Sequence, residues 1–259
     1  MDFRTSRQLA VLGVVALVVT GIGLLIVRVN LPEPTCNDRI LNRGEEEADC
    51  GGPCIPCAYR YRKPLEVFWV RFVKTRENSY DVAAEIHNPN VKLGAATFPY
   101  EVRLYDTAGA LVDWRRGRSF LYPAEVMHVV EVGLTSGRVI RNAEIRLGDP
   151  NWVLTDAIGP DVIAGNREYA IVDDLGSRRS VLKALLTNRT LEDIRNLAVG
   201  VLMFDERGTL TGVHRTVLDE LRAQSTAPVT FTWPQVVAES VSTILVEVRS
   251  AAKLPAPVP

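Results

Sequence analysis

The residues of this chain whose type and spacing could support chemistry are its four cysteines, which all fall within 22 residues. They are Cys36, Cys50, Cys54 and Cys57. Two disulfides between them would staple a segment that is too small to have a core of its own. Four thiolates would instead bind zinc, and the C-x-x-C pair Cys54 and Cys57 could take part in thiol–disulfide exchange.

Disulfides are the interpretation that the spacing favours. Ordinary zinc ribbons combine one C-x-x-C pair with a second C-x-x-C pair. Here thirteen residues separate Cys36 from Cys50, and a C-x-x-x-C precedes the single C-x-x-C. Four cysteines allow three pairings, and the sequence does not choose among them.

Outside this run the sequence offers little for catalysis. Its three histidines, His87, His128 and His214, are far apart in the chain. It contains no phosphate-binding glycine-rich loop, no H-E-x-x-H and no G-x-S-x-G. We therefore expect no catalytic residues and no enzymatic activity, with thiol–disulfide or zinc chemistry at the cysteines as a lower alternative.

The charge balance limits the partners as well. The chain has 30 basic and 31 acidic residues and a formal net charge of −1. Most of the basic residues are arginines interleaved with acids, and only Arg115, Arg116 and Arg118 cluster, as expected for a solvated hairpin face. We therefore expect no nucleic-acid partner.

The cysteine run resembles a short module of cell-surface and secreted proteins, written C-x-D-G-x-x-N-x-x-E-x-x-x-D-C-G-G-x-C-x-x-C. The matching residues are Cys36, Asp38, Asn42, Glu45, Asp49, Cys50, Gly51, Gly52, Cys54 and Cys57. Arg39 departs from the pattern, because the module has glycine at that position. The resemblance implies an extracytoplasmic spacer or stalk and assigns no enzymatic activity.

The oxygen-bearing side chains of this run are candidate ligands for a hard cation. Asp38, Asn42, Glu45 and Asp49 could gather around Ca²⁺. The simpler interpretation is that they cap turns, as Asp and Asn commonly do in loops. We therefore expect no cofactor, with calcium or zinc at the cysteine segment as the alternatives.

An apolar stretch precedes the cysteines and bears on their location relative to a membrane. Residues 9–27 contain no charge, and as a helix they would reach roughly 28 Å, close to the thickness of a bilayer's hydrocarbon core. A cleaved signal peptide has a shorter apolar region and a small-residue cleavage site, whereas no A-x-A pattern follows Arg28. A core helix would have a polar face. We predict an uncleaved signal-anchor helix over residues 9–29.

The charges that flank this helix do not decide its direction. Arg4 and Arg7 precede it, and Arg28, Arg39 and Arg43 follow it, so the positive-inside count is nearly balanced. The short N-terminus and the cysteine cluster favour a cytoplasmic N-terminus and extracytoplasmic C-terminal domains. We therefore expect a single-pass protein of the cell membrane.

Beyond Cys57 the sequence has the pattern of β-strands. Apolar and polar residues alternate over residues 80–87 and 100–105, whereas residues 65–74 are apolar on both faces. Turn residues separate such segments at the intervals of an all-β sandwich. The other predicted strands are residues 111–114, 126–132, 143–147, 181–187, 197–205, 209–213, 229–233 and 243–249. Residues 217–224 are predicted as a loop or a helical turn.

The second half of this region repeats the first. Asn88 ends E-I-H-N, and Asn188 ends L-L-T-N 100 residues later. An apolar strand that ends in D-x-x-G also recurs, after 99 residues. We predict a tandem repeat in which Asp initiates a hairpin turn and Gly takes the position that favours positive φ. These structural turn residues are Asp106, Gly109, Asp205 and Gly208.

The strands before these turns resemble a known motif. Residues 102–106, V-R-L-Y-D, are similar to the motif of the FxLYD domain, an immunoglobulin- or fibronectin-type β-sandwich of bacterial surface proteins. Residues 201–205, V-L-M-F-D, match it more loosely. The resemblance implies a fold, a bacterial surface location and, by analogy, an adhesive or scaffolding role.

Together these patterns predict an all-β protein with two tandem immunoglobulin-like β-sandwich domains after a single N-terminal transmembrane helix and a short cysteine-rich segment. The predicted function is to carry these modules on the membrane for protein interaction, adhesion or spacing, with an unknown protein partner outside the cytoplasm. The alternative is a structural subunit of an envelope assembly. The predicted divisions are residues 1–8 (cytoplasmic), 9–29 (helix), 30–58 (cysteine-rich), 59–150 and 151–250 (sandwiches) and 251–259 (disordered tail).

Overall fold

A computed structural model describes residues 3–30, 35–174 and 176–255. The ends of the predicted N-terminal segment and tail, residues 1–2 and 256–259, lie outside the described residues, as do residues 31–34 of the predicted cysteine-rich segment. The chain divides into two compact units, residues 1–60 and 61–259. The elements are α1 (Phe3–Asn30), α2 (Cys57–Arg60), β1 (Glu66–Arg76), β2 (Ser79–His87), β3 (Leu93–Asp106), β4 (Leu111–Leu121), β5 (Val126–Thr135), β6 (Ile140–Leu147), β7 (Asn151–Leu154), β8 (Val162–Asp174), β9 (Ser177–Asn188), β10 (Ile194–Phe204), β11 (Leu210–Leu221), β12 (Thr226–Trp233) and β13 (Thr243–Arg249).

Helix α1 contains the apolar stretch. Its segment Val11–Val29 has a mean hydropathy of 2.5, and none of it is buried within the protein. It is long and apolar enough to cross a membrane, and a signal sequence has the same properties. The protein therefore has one N-terminal apolar helix among its described residues that could serve as an anchor or a signal.

The strands of the second unit form antiparallel sheets with the same pairing in each half. In the first half β1-β2-β5 form one sheet and β4-β3-β6 another, with β7 also paired to β3. In the second half the orders are β8-β9-β12 and β11-β10-β13. Replacing β1–β6 by β8–β13 converts one pair of sheets into the other, so the halves are repeats of one topology.

Each pair of sheets encloses its own core. Alternate side chains of the strands, such as Ile86 of β2 and Leu104 of β3, meet in the first core. Leu186, Val201 and Phe231 meet in the second. Because successive side chains of a strand point to opposite faces, each half is a two-layer β-sandwich. The protein is therefore mostly β, as the sequence predicts.

A third apolar cluster joins the two sandwiches. Ala83 and Val130 project from the outer face of sheet β1-β2-β5 onto Leu202, Leu210 and Val213 of sheet β11-β10-β13. Sheet β1-β2-β5 is thus covered on both faces, by its own core on one side and by the second sandwich on the other. This double burial accounts for the apolar residues on both faces of β1.

The structure corrects several details of the sequence-based expectations. Strand β7 pairs with β3, so the first sandwich extends past the division expected at residue 150. Strand β8 (Val162–Asp174) lies where the sequence pattern predicts no strand, and β11 continues to Leu221 through the predicted loop or helical turn. The first part of the predicted tail forms a turn, closed by Leu254 N–H donating to Ala251 O at 2.9 Å.

Candidate functional site: the disulfide segment and the joint between the sandwiches

Two disulfides close the cysteine segment. Cys36 is bonded to Cys54 and Cys50 to Cys57, with Cα–Cα distances of 5.6 and 4.8 Å. This is one of the three pairings that the sequence left open, and no described cysteine is free. Because each sulfur is in an S–S bond, none is a thiolate, the form of cysteine that binds zinc.

Polar residues of the module support the turns between the cysteines. Asp38 Oδ2 accepts hydrogen bonds from Thr35 N–H at 3.0 Å and from the Asn42 side-chain amide at 2.9 Å. These two bonds, the first above all, lower the pKa of Asp38. Glu45 Oε2 accepts from Asp49 N–H at 3.1 Å. The side chains thus supplement the few backbone hydrogen bonds of this short segment.

The position at which the sequence departs from the module has an unusual backbone conformation. Arg39 has a φ of 62°, in the left-handed region, and its N–H donates to Asp49 Oδ1 at 2.8 Å. Glycine reaches this region without the steric cost that a Cβ imposes. Asp49 is 2% exposed and also accepts from the Arg60 guanidinium at 3.2 Å. Arg39 therefore occupies a turn that suits glycine better.

Of the four predicted calcium ligands, the three carboxylates already accept hydrogen bonds within the segment, whereas Asn42 Oδ1 is buried without a hydrogen-bond partner among the described residues. Asp38 bonds Asn42 directly, and the carboxylates of Glu45 and Asp49 accept backbone N–H groups. A different group, Cys36, Glu45 and Cys54, brings potential ligand atoms within 4.8 Å of one another. Both of these sulfurs lie in one disulfide, so Cys54 Sγ makes only a 3.1 Å contact with Glu45 Oε1 and has no proton to donate. A calcium site here stays a prediction.

In the sandwiches the two repeat asparagines have equivalent roles. Asn88 and Asn188 are both fully buried. The amide of Asn88 donates to the carbonyls of Leu93 at 2.7 Å and Tyr122 at 2.9 Å. The amide of Asn188 donates to Leu221 O at 3.1 Å. Through these hydrogen bonds, each asparagine links the end of the second strand of its repeat to the end of the fourth strand.

The D-x-x-G segments form matching hairpin turns. Asp106 Oδ1 accepts from Ala110 N–H at 2.9 Å, and Asp205 Oδ1 accepts from Thr209 N–H at 2.8 Å. These backbone bonds are the main cause of the lowered pKa of each aspartate. The two glycines, at φ values of 78° and 73°, are Gly109 and Gly208.

A polar bridge crosses the joint between the sandwiches. His128 N–H on β5 donates to Glu247 Oε2 on β13 at 3.0 Å, and the ring Nδ1 lies 3.0 Å from the same oxygen. The ring Nε2 lies 3.2 Å from Glu85 Oε2, which also accepts the Trp69 indole N–H at 2.9 Å. Carboxylates accept hydrogen bonds, so both ring bonds form together only on the imidazolium.

A buried carboxylate lies near this bridge. Glu131 is 2% exposed, and its Oε1 accepts from the Tyr100 hydroxyl at 2.6 Å and from Arg215 of the second sandwich at 3.3 Å. Burial, together with the hydrogen bond to Glu131, raises the pKa of Tyr100 and keeps its hydroxyl a donor. Glu131 Oε2 has no hydrogen-bond partner among the described residues, and Arg115 lies 4.0 Å from it.

Arg249 at the end of β13 forms a hydrogen bond and a cation–π contact with the first sandwich. It is 8% exposed and donates to Phe120 O at 2.5 Å, with its guanidinium 4.6 Å from the centroid of the Phe120 ring. The same guanidinium lies 3.4 Å from Glu125, whose pKa is raised by burial. Next to it, the Tyr122 hydroxyl donates to Ser250 O at 2.8 Å. The joint therefore combines apolar packing with several cross-sandwich hydrogen bonds.

A cleft of about 400 Å³ opens beside these bonds, between the sandwiches. Arg118 is an exposed residue of its lining, and its side chain makes no hydrogen bond or ion pair with another described residue. Of the neighbouring arginines in the predicted solvated cluster, Arg115 instead donates to Val132 O at 2.6 Å and Arg116 pairs with Glu101 at 2.7 Å. The apolar lining of the cleft includes Phe120, Val130 and Val217.

The sequence did not point to the joint as a site. The three histidines are far apart in the sequence, and His87 and His214 do lie elsewhere, against Phe68 and Phe231 respectively. The only signal available was the apolar character of both faces of residues 65–74, which indicates a strand covered twice. The surface that packs on the second face of this strand is set by contacts between residues more than 100 positions apart, such as that of His128 with Glu247.

Neither a protein-family model nor a curated protein matches this chain. Among solved structures, the chain is similar to the N-terminal CBM22-1–CBM22-2 tandem domain of Paenibacillus barcinonensis Xyn10C. The match has 8% identity and a TM-score of 0.15, and it covers 77% of this chain and 91% of that one. Similarity at this level says nothing about activity, so the functional argument rests on the chain's own residues.

Proposed function

We propose that the chain is a single-pass membrane protein that carries its paired sandwiches outside the cytoplasm as an interaction or spacing module. The observation that carries the proposal is helix α1, whose segment Val11–Val29 is apolar and unburied. Its uncharged run is longer than the apolar region of about 7–15 residues in a signal peptide. An uncleaved anchor is therefore favoured over a secretion signal.

The disulfide segment supports the extracytoplasmic side. Disulfides persist in oxidising compartments and are rare in the cytosol. The pairs Cys36–Cys54 and Cys50–Cys57 close a segment that has almost no other regular structure. The resemblance to a surface-protein cysteine module and to the immunoglobulin-like FxLYD domain favours the same side, on a bacterial cell.

The joint supports a role in presenting a surface. A tandem of independent domains would move about a linker, whereas here Ala83 and Val130 pack directly on the second sandwich. Glu247 and Arg249 add hydrogen bonds across the joint. Residues of both sandwiches are thereby held in fixed positions, which favours binding and spacing over flexible tethering. The proposal assigns no catalytic step.

Membrane extraction of the full chain tests the anchor. The protein should resist carbonate extraction and keep its original N-terminus. Val19→Arg should release it, because a central arginine costs about 2.5–3.5 kcal/mol on the insertion scale, whereas Val19→Leu should leave it in the membrane. An N-terminus that begins after the apolar helix would show a cleaved signal and overturn the anchor.

The orientation is tested by protease and by thiol counting. In cells with a permeabilised outer layer, external protease should digest the sandwiches, and the protein should contain no free thiols. The paired variant Cys36→Ser/Cys54→Ser should still contain no free thiol, whereas Cys36→Ser alone leaves Cys54 without its partner and should expose one reactive thiol. Digestion only after the membrane is opened would reverse the orientation.

A structural subunit of an envelope assembly is the second candidate. The observation in its favour is that Phe68 and Trp114 are 56% and 49% exposed, since large exposed aromatics are enriched at protein interfaces. Purification of the native protein in mild detergent separates the two roles. Stoichiometric companions that stay bound through size-exclusion chromatography favour the subunit, and a homogeneous single species favours the independent module.

A further inference from the structure

We propose that the cleft between the sandwiches is a binding site for a small monocarboxylic acid with an apolar body, anchored by Arg118. The inference deepens the interaction role proposed above and rests on it. The cleft volume of about 400 Å³ lies in the lower part of the range of small-molecule sites, about 300–1,000 Å³. Such sites combine apolar walls with a few polar groups that orient the ligand.

The walls of the cleft are suited to an apolar body. Val130 of the first sandwich and Val217 of the second line the cleft, and Phe120 adds an aromatic ring. The lining also includes Met127 and Val199, which belong to the cores of the two sandwiches. Gly200 also lines the cleft, and a Cβ there would be 3.7 Å from Val130 Cγ2. The cleft therefore exists only when the two sandwiches are joined, because both contribute its walls.

The charges around the cleft are balanced except at Arg118. Arg215 is bonded to Glu131, and Arg249 lies 3.4 Å from both Glu125 and Glu247. These guanidinium groups are therefore held by carboxylates of the protein. Arg118 makes no such pair with a described residue, so one positive charge at the exposed edge of the lining is available to a ligand.

The charges of the lining favour a ligand with a single negative charge. A carboxylate matches one guanidinium and can accept two parallel N–H bonds from its planar fork. A phosphate dianion would bring a second negative charge close to Glu247, which also lines the cleft. The hydroxyls of Ser119 and Thr216 add polar groups on the same lining. A monoanion with an apolar tail therefore fits the lining best.

The test measures binding of 3-phenylpropionate and its neutral amide, 3-phenylpropanamide, to the full chain in lipid nanodiscs, with empty nanodiscs as background. Saturation-transfer NMR and calorimetry report the complex. The acid should bind at least about ten-fold more tightly than the amide, because hydrogen bonds to charged groups contribute about that factor. Arg118→Gln should remove this difference. Thr216→Trp, which fills the cleft, should weaken both ligands.

Arg141→Gln is the matched control, because Arg141 is an exposed arginine of β6 outside the cleft. It should bind the acid as the unmodified chain does. Equal affinity of the Arg118→Gln variant and the unmodified chain for the acid would overturn the proposal, as would saturation of neither by millimolar acid. Because purified protein is used, failure here leaves the extraction and protease results on the anchor unaffected.

Discussion

Glu247 in the second sandwich accepts two hydrogen bonds from His128 in the first, one from the backbone N–H and one at the ring, each at 3.0 Å. The two residues lie 119 positions apart in the sequence. His128 belongs to β5, an edge strand of its sheet. An edge strand presents unpaired backbone groups. The carboxylate of Glu247 in the neighbouring sandwich accepts a hydrogen bond from one of them, the His128 N–H.

Replacing Glu247 by alanine should loosen the joint. The His128 N–H would lose its charged acceptor, and we expect the free energy of unfolding to fall by about 1–3 kcal/mol. Urea unfolding followed by tryptophan fluorescence measures this change. Glu220→Ala is the control, because its pair with Arg195 at 3.2 Å is exposed and should contribute about 0–1 kcal/mol. Equal losses in the two variants would contradict a special role of the bridge.

Asn88→Ala and Asn188→Ala should destabilise the protein by similar amounts. Each substitution removes a buried amide and leaves carbonyls such as Tyr122 O or Leu221 O without a donor. We expect a loss of about 1–3 kcal/mol for each, by the same unfolding assay. Asn142→Ala, at an exposed position of β6, should change the stability by less than about 0.5 kcal/mol. A large loss in one repeat only would mean that the asparagines are not equivalent.

The parts of this fold that the sequence predicted correctly are those with local causes. Residues 80–87 and 100–105 alternate with a period of two, and both lie in strands. The D-x-x-G turns at Asp106 and Asp205 are made by bonds that span no more than four residues. The apolar run of α1 needs no tertiary context either. In each case the sequence within the element carries the physical reason for its conformation.

The features that escaped prediction depend on distant contacts. Strand β8 contains Gly165 and follows a segment rich in proline and glycine, and its pairing partner β9 is what makes it a strand. Strand β11 extends to Leu221 because β10 lies beside it over that length. The cleft that Arg118 lines is formed by residues of both sandwiches. No short stretch of the sequence could therefore predict it.

Arg39→Gly should stabilise the disulfide segment. The φ of 62° at Arg39 costs a residue with a Cβ roughly 1–2 kcal/mol, partly offset by the greater freedom of glycine in the unfolded chain. We expect a net gain of about 1 kcal/mol. Hydrogen exchange at the Cys50 amide, which donates to Glu47 O at 3.0 Å, measures it. Arg39→Ala keeps the Cβ and should give no gain, so equal protection in both variants would contradict the argument.

The stability of the second sandwich should fall in mildly acidic solution because of His214. Its ring packs against Phe231 and Trp233, with centroids 5.4 and 5.3 Å away, and burial lowers its pKa. Below a pH of about 6.5 the unfolded chain therefore binds a proton that the folded chain does not. The free energy of unfolding should fall with pH from there down to the folded pKa, by at most about 1.4 kcal/mol per unit.

His214→Phe isolates this effect, because it keeps an aromatic ring against Phe231 and Trp233 and removes the titrating group. Urea unfolding of both proteins at pH 8, 6 and 5 gives the difference between their stabilities, in which the other titrating groups cancel. The variant should gain relative to the unmodified protein as the pH falls through 6.5. A difference that stays constant from pH 8 to 5 would show that the His214 ring accepts its proton as readily in the folded protein as in the unfolded chain.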